Sequence, residues 1–171
     1  MAIRAVQLWS ALNLAAIAAC GTGASRQPDQ AQTAARAEEC FKDLPAASAI
    51  DTTKLQRRAI DGATGESAEG STIVEFRDSV QRRLLIVTYF GETGRTRYTY
   101  YFISPTSYLQ RAIEERYAAP LTATRPVVAD STKTEVLVCS GTLAGSSTDS
   151  TAYKDGRDVL VEADSLLRHS R

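Results

Sequence analysis

Between residues 82 and 103 the apolar positions fall into two strand-like runs with a polar break between them. RRLLIVTYF (82–90) is β-branched and aromatic and apolar on both faces, and RTRYTYYFI (95–103) follows it. The break, Gly91-Glu92-Thr93-Gly94, reads as a tight turn whose glycines are available for positive φ. The pattern predicts a hairpin in which Phe90 pairs with Arg95, Val87 faces Tyr98 and Leu85 faces Tyr100. Leu85, Val87, Tyr89, Tyr98, Tyr100 and Phe102 then share the core side. Leu84, Ile86, Thr88 and Phe90 sit opposite Tyr101, Thr99, Arg97 and Arg95 on a mixed, partly wet face.

The same reading extends outward. In STIVEFR (71–77), Val74 and Phe76 take one face of a half-buried strand, Glu75 and Arg77 the other. TEVLVCS (134–140) is a strand with Val136 and Val138 on one face and Leu137 and Cys139 on the other. A helix is predicted from about 155 to 168, with Val159, Leu160, Ala163, Leu166 and Leu167 on one stripe. Short helices are expected at 36–43 and at 51–60, the second capped by Asp51 or Thr52. Residues 61–71, 118–132 and the run GTLAGSSTDST read as loop or irregular chain. SYLQRAIEERY (107–117) fits two patterns. Tyr108, Leu109, Ala112, Ile113, Arg116 and Tyr117 form a helical stripe, slightly favoured by pattern alone. As a strand, Leu109, Ile113 and Tyr117 share a face with Arg111 and Glu115 between them. The sum is an α+β class domain: a small antiparallel sheet of about four to five strands, short N-terminal helices and a C-terminal helix.

The first twenty residues follow a different logic. One cation, Arg4, precedes an apolar stretch from Ala5 to Ala19, interrupted by Gln7 and Asn13 and too short to span a bilayer. It ends in Ile17-Ala18-Ala19-Cys20-Gly21, which resembles a bacterial lipobox. That resemblance implies a signal peptide over 1–19, lipid on Cys20, and a protein exported to the cell envelope. Gly21 at the second mature position implies the outer membrane, facing the periplasm, in a diderm host. The alternatives are a signal peptide cut after Ala16-Ile17-Ala18, leaving Cys20 a plain thiol, or a cytosolic protein. Residues 20–35 then form the lipidated cysteine and a tether with no aromatic, reaching roughly 20 Å as a coil. Residues 36–171 are the single domain, its length sufficient for one core.

The segment from Arg82 to Leu121 also resembles a loose group of uncharacterised bacterial exported lipoproteins. It is carried by the Gly91-Glu92-Thr93-Gly94 turn, by Tyr100-Tyr101-Phe102, and by Tyr117 and Pro120. This resemblance implies a strand over 107–117 and no particular activity. The chain departs from the group at Ser104-Pro105-Thr106-Ser107, where a short Asp-Gly or Asn-Gly turn is expected.

Charge and cysteine narrow the function. Formal net charge is +0, and losing Arg4 with the leader brings it to −1, with no basic run. Nucleic-acid binding, which needs clustered cations on phosphates, is therefore not expected. With Cys20 assigned to lipid, Cys40 and Cys139 remain, and an oxidising compartment pairs them as a disulfide. Two buried thiols would be the reading for a reduced cytosolic domain.

Candidate chemistry is sparse. The single histidine, His169, falls in the expected last helical turn, where a cation favours the negative helix end. A Ser-His-Asp triad or a histidine-rich metal site therefore has no basis, and no metal or cofactor is expected. Glu38-Glu39 and Glu114-Glu115 are adjacent carboxylates that diverge in direction, so neither is an acid–base pair by itself. The aromatic cluster remains, with Tyr101, Arg97 and Phe90 the candidate binding surface. The expectation is a non-enzymatic envelope lipoprotein, held at the membrane through Cys20 and contacting an envelope protein or glycan. An inhibitor of a lytic envelope enzyme and a carboxylate-dependent hydrolase of envelope polymers are the alternatives.

Overall fold

The computed structural model describes residues 38, 40, 42–44, 48–61, 70–119, 127–144 and 150–170. The leader, Cys20, the tether and much of the helix expected at 36–43 lie outside them. The described strands are β1 (Gln56–Asp61), β2 (Ser71–Arg77), β3 (Arg82–Gly91), β4 (Gly94–Ser104), β5 (Ser107–Tyr117), β6 (Val128–Cys139) and β7 (Thr142–Ala144). They form one antiparallel sheet in the order β1-β2-β3-β4-β5-β6-β7, a meander in which every strand pairs with its chain neighbours. One long helix among the described residues, α1 (Ser150–His169), packs on one face.

The central hairpin has the register the apolar pattern predicts: Phe90 opposite Arg95, Val87 opposite Tyr98, Leu85 opposite Tyr100. Neither turn glycine uses a positive φ; among described glycines Gly70 and Gly141 do. Gly94 is required for a different reason, since a Cβ there would lie 2.2 Å from the carbonyl oxygen of Glu115 on β5.

The sheet is larger than four or five strands because pairing overrides local preference at both edges. The helix expected over 51–60 shrinks to a 3₁₀ turn, Thr52–Lys54, followed by β1. Asp51 caps that turn as expected, accepting from the Thr53 amide at 3.1 Å. The stretch QRRAID has few apolar groups to dock a helix, whereas β2 offers it a full row of backbone partners. At the other edge β6 starts at Val128, inside the stretch read as irregular, and β7 arises within the expected loop. Ser140 and Gly141 turn the chain between them at positive φ. Segment 107–117 is strand β5, bonded on both sides to β4 and β6.

The alternation of β2 holds, but the apolar pair does not take the helix side. In β2 the helix-facing side carries Ser71, Ile73 and Glu75, all buried, while Val74 and Phe76 point to the other face. The Glu75 side chain is 4% exposed and is held by Arg82 at 2.7 Å and Arg77 at 3.1 Å. Arg82 reaches on to Asp164 of α1 at 2.6 Å, so this ionic chain ties the helix to the sheet.

The core lies between α1 and the sheet. Val159, Ala163 and Leu167 pack on Ile73, Leu85, Val87, Tyr100, Phe102, Tyr108, Val136 and Val138. Two polar groups tune that contact. The fully buried Tyr100 donates its hydroxyl to the Gly156 carbonyl at 2.6 Å, and Gln110 donates Nε2 to the Ala152 carbonyl at 2.9 Å. Burial pushes the Tyr100 hydroxyl far above its ordinary pKa, and that of Tyr108 up to about 12. A second cluster, Leu137, Cys139 and Ala144, meets Cys40 and Leu44, and Cys40 is bonded to Cys139.

Candidate functional site

Helix α1 covers one face of the sheet; the other face gathers the residues that the sequence singles out for binding. Strand alternation places Phe90, Arg97 and Tyr101 there together, along with Val74, Phe76, Leu84, Ile86, Leu109, Arg111 and Ile113. Leu84 and Leu109, the cross-strand neighbours of Tyr101, are buried, while Phe76, Ile86, Phe90 and Ile113 are half-buried. The result is an apolar floor with an aromatic rim.

Tyr101 is fixed in place by a residue that sequence reasoning did not single out. Arg111 on β5 donates Nη1 to the Tyr101 hydroxyl at 3.2 Å, with its guanidinium carbon 5.3 Å from the ring centroid. The same guanidinium donates Nε to Glu135 at 2.7 Å, and Lys133 reaches Glu135 at 3.0 Å. Burial raises the Glu135 carboxyl pKa, but the hydrogen bonds from Arg111 and Lys133 outweigh it and hold the group below its ordinary value. Arg95 likewise pairs with Glu115, whose carboxyl is lowered chiefly by that hydrogen bond. Arg95 and Arg111 are thus ordered by carboxylates on the adjacent strands. The available signal was the strand reading of 107–117, which puts Arg111 on the same face as Tyr101.

Two hollows lie beside strands β3 and β4, and only the first touches this face. One, 670 Å³, wraps the β3–β4 turn and is lined by Phe90, Arg95, Glu115 and Tyr117 among others. The second, 530 Å³, lies between α1 and the sheet, where Tyr89 and Tyr98 meet Asp155, Asp158 and Glu162. Tyr89 donates its hydroxyl to Glu162 at 3.0 Å and stands edge-on to Tyr98 at 6.3 Å. The two tyrosines belong to the helix side and are separated from Tyr101 by the thickness of the sheet.

The remaining candidates fall apart in space. Glu114 and Glu115 point to opposite faces, as adjacent strand residues must. His169 lies in the last turn of α1 with Nδ1 2.7 Å from the Ser165 carbonyl. Among the described residues no group of three or more His, Cys, Asp or Glu is arranged to hold a metal ion. Among them, too, no helix is long and apolar enough to cross a membrane. Comparison of the chain with protein-family models, curated proteins and solved structures finds no match.

Proposed function

We propose that the chain is a non-enzymatic cell-envelope lipoprotein, tethered through lipid on Cys20, whose domain binds an envelope protein or glycan through the sheet face bearing Tyr101. The observation that carries this reading is the clamped aromatic: Tyr101, held by Arg111 above buried leucines, beside Arg97 and Phe90. Aromatic and arginine side chains held rigidly over an apolar floor lose little entropy on binding and are the usual anchors of interfaces. Glu115 and Glu135 on this face are already bonded to cations, which suits recognition better than proton transfer. The leader supports the location: lipid on Cys20 implies a membrane tether, and Gly21 after it implies the outer membrane of a diderm host, facing the periplasm.

The test places a photo-crosslinking residue at Tyr101 and, as control, at Val161 on the exposed side of α1, in the native envelope. A discrete adduct from position 101 alone, reduced about tenfold when the neighbouring Arg111→Ala is introduced, is the expected result. In parallel, Tyr101→Ala is expected to lower partner capture without loss of folding. Equal labelling from both positions would remove the interface. Intact mass from the membrane fraction tests the anchor: residues 20–171 plus lipid is the expected species.

A further inference from the structure

Four arginines from three strands and the helix converge on one cavity near the C-terminal end of α1. Arg58 of β1, Arg77 of β2, Arg82 of β3 and Arg168 of α1 line a space of 170 Å³ together with Glu75 and Asp164. Leu167 supplies the one apolar side chain of that lining. Glu75 and Asp164 are spoken for by Arg77 and Arg82. Arg58 donates Nη2 to the neutral Ser170 hydroxyl at 2.5 Å. Among the described residues neither Arg58 nor Arg168 has a carboxylate within ion-pair distance. Two positive charges are left over in a chain whose formal net charge is +0.

A second cavity, 270 Å³, shares Arg77, Arg82 and Asp164 with the first and is of a different character. It adds Phe102, Leu160 and Val80, the last 84% exposed at the mouth. Arg82 links the two, its guanidinium carbon 5.4 Å from the Phe102 ring centroid. An arginine-lined chamber beside one that adds Val80, Phe102, Pro105 and Leu160 to its polar residues suits a ligand with an anionic head and a short apolar body.

We propose that these adjacent cavities, which share Arg77, Arg82 and Asp164 as walls, bind a phosphomonoester carrying an apolar substituent. Arg58, Arg77 and Arg168 receive the head; Phe102, Leu160 and Val80 receive the substituent. A monoester carries about −1.5 to −2 charge at neutral pH, which matches the two unpaired cations. Guanidinium forks bond phosphate oxygens in pairs. The helix end opposes an anion with only about half a negative charge, so the arginines outweigh it. This site is on the opposite side of the sheet from Tyr101 and does not depend on that surface.

The experiment is calorimetric titration of the purified full chain with hexyl phosphate, inorganic phosphate and hexanol. Hexyl phosphate is expected to bind at least about tenfold more tightly than inorganic phosphate, and hexanol not measurably. Arg58→Gln with Arg168→Gln is expected to weaken hexyl phosphate about a hundredfold, since each charged hydrogen-bond donor contributes about tenfold. Neither residue belongs to the Glu75 ion chain, so unfolding curves should match those of the unaltered protein. If the double variant fails to fold, Val80→Asp sets a carboxylate at the exposed mouth and must weaken the same ligand. Undetectable hexyl phosphate binding, equal binding by the variants, or equal affinity for inorganic phosphate overturns the proposal. Vesicles with and without phosphatidic acid then identify the source. Arginine-dependent recruitment points to a lipid head, and binding of the soluble ester alone to a free metabolite.

Discussion

Glu75 shows how a charged side chain can take the buried side of a strand. Burial raises its carboxyl pKa, but the hydrogen bond and charge of Arg82, then those of Arg77, hold it below its ordinary 4.5. A depressed folded pKa means the carboxylate contributes stability above the unfolded value and loses it as pH falls through the folded one. Glu75→Gln should therefore cost about 2–3 kcal/mol at neutral pH. It should also flatten the loss of stability between about pH 5 and pH 3, measured by urea unfolding across that range. Gly156 is the second such residue. A Cβ there would lie 2.0 Å from Gln110 Nε2, and Gln110 is only 1% exposed and cannot swing clear. Gly156→Ala should destabilise by about 1–2 kcal/mol, despite a helix-propensity gain of up to about 1 kcal/mol. In combination with Gln110→Ala the loss should be less than additive in a double-mutant cycle. The pattern of apolar residues revealed neither contact, because both depend on which strand the helix crosses.

At the scale of elements, α1 gains its stability from docking. Its apolar stripe was legible: Val159, Ala163 and Leu167 are buried, with Leu160 and Leu166 packed at the margin. Leu167→Ala should cost about 3 kcal/mol, whereas Val161→Ala on the exposed side should stay within about 0.5 kcal/mol. Thermal unfolding of both variants checks the contrast. The strands were legible where β-branched and aromatic residues run together, as in β3, β4 and the end of β6. They were not where the pairing partner supplies the order. Segment 107–117 carries a helical stripe, yet β4 and β6 satisfy its backbone on both sides, and the implied strand prevails. Residues Val128–Thr134 of β6 are largely exposed on both faces, so no apolar pattern marks them. Their charged side chains, Asp130 and Lys133 among them, suit a strand whose outer edge continues beyond the short β7.

For the molecule as a whole, the disulfide joins regions that the meander keeps apart. Cys40 is held at β6, while β1, the next strand along the chain from Cys40, forms the opposite edge of the sheet. The bridge spans a sequence separation of 99, enough to restrict the unfolded chain strongly. Replacing both cysteines with serine should lower stability by about 4–5 kcal/mol in the chain-entropy account, checked by denaturant titration against the oxidised protein. The sequence by itself determined the local hairpin register, the helical stripe of α1 and the shared face of Phe90, Arg97 and Tyr101. These follow from side-chain period, from turn length and from the parity of a strand, all short-range properties of the chain. Only the tertiary structure decided the seven-strand count, the inward Glu75, the Arg111 clamp on Tyr101 and the convergence of four arginines. Those depend on which distant segments meet, and backbone pairing and charge neutralisation across strands settle that without leaving a periodic trace in the sequence.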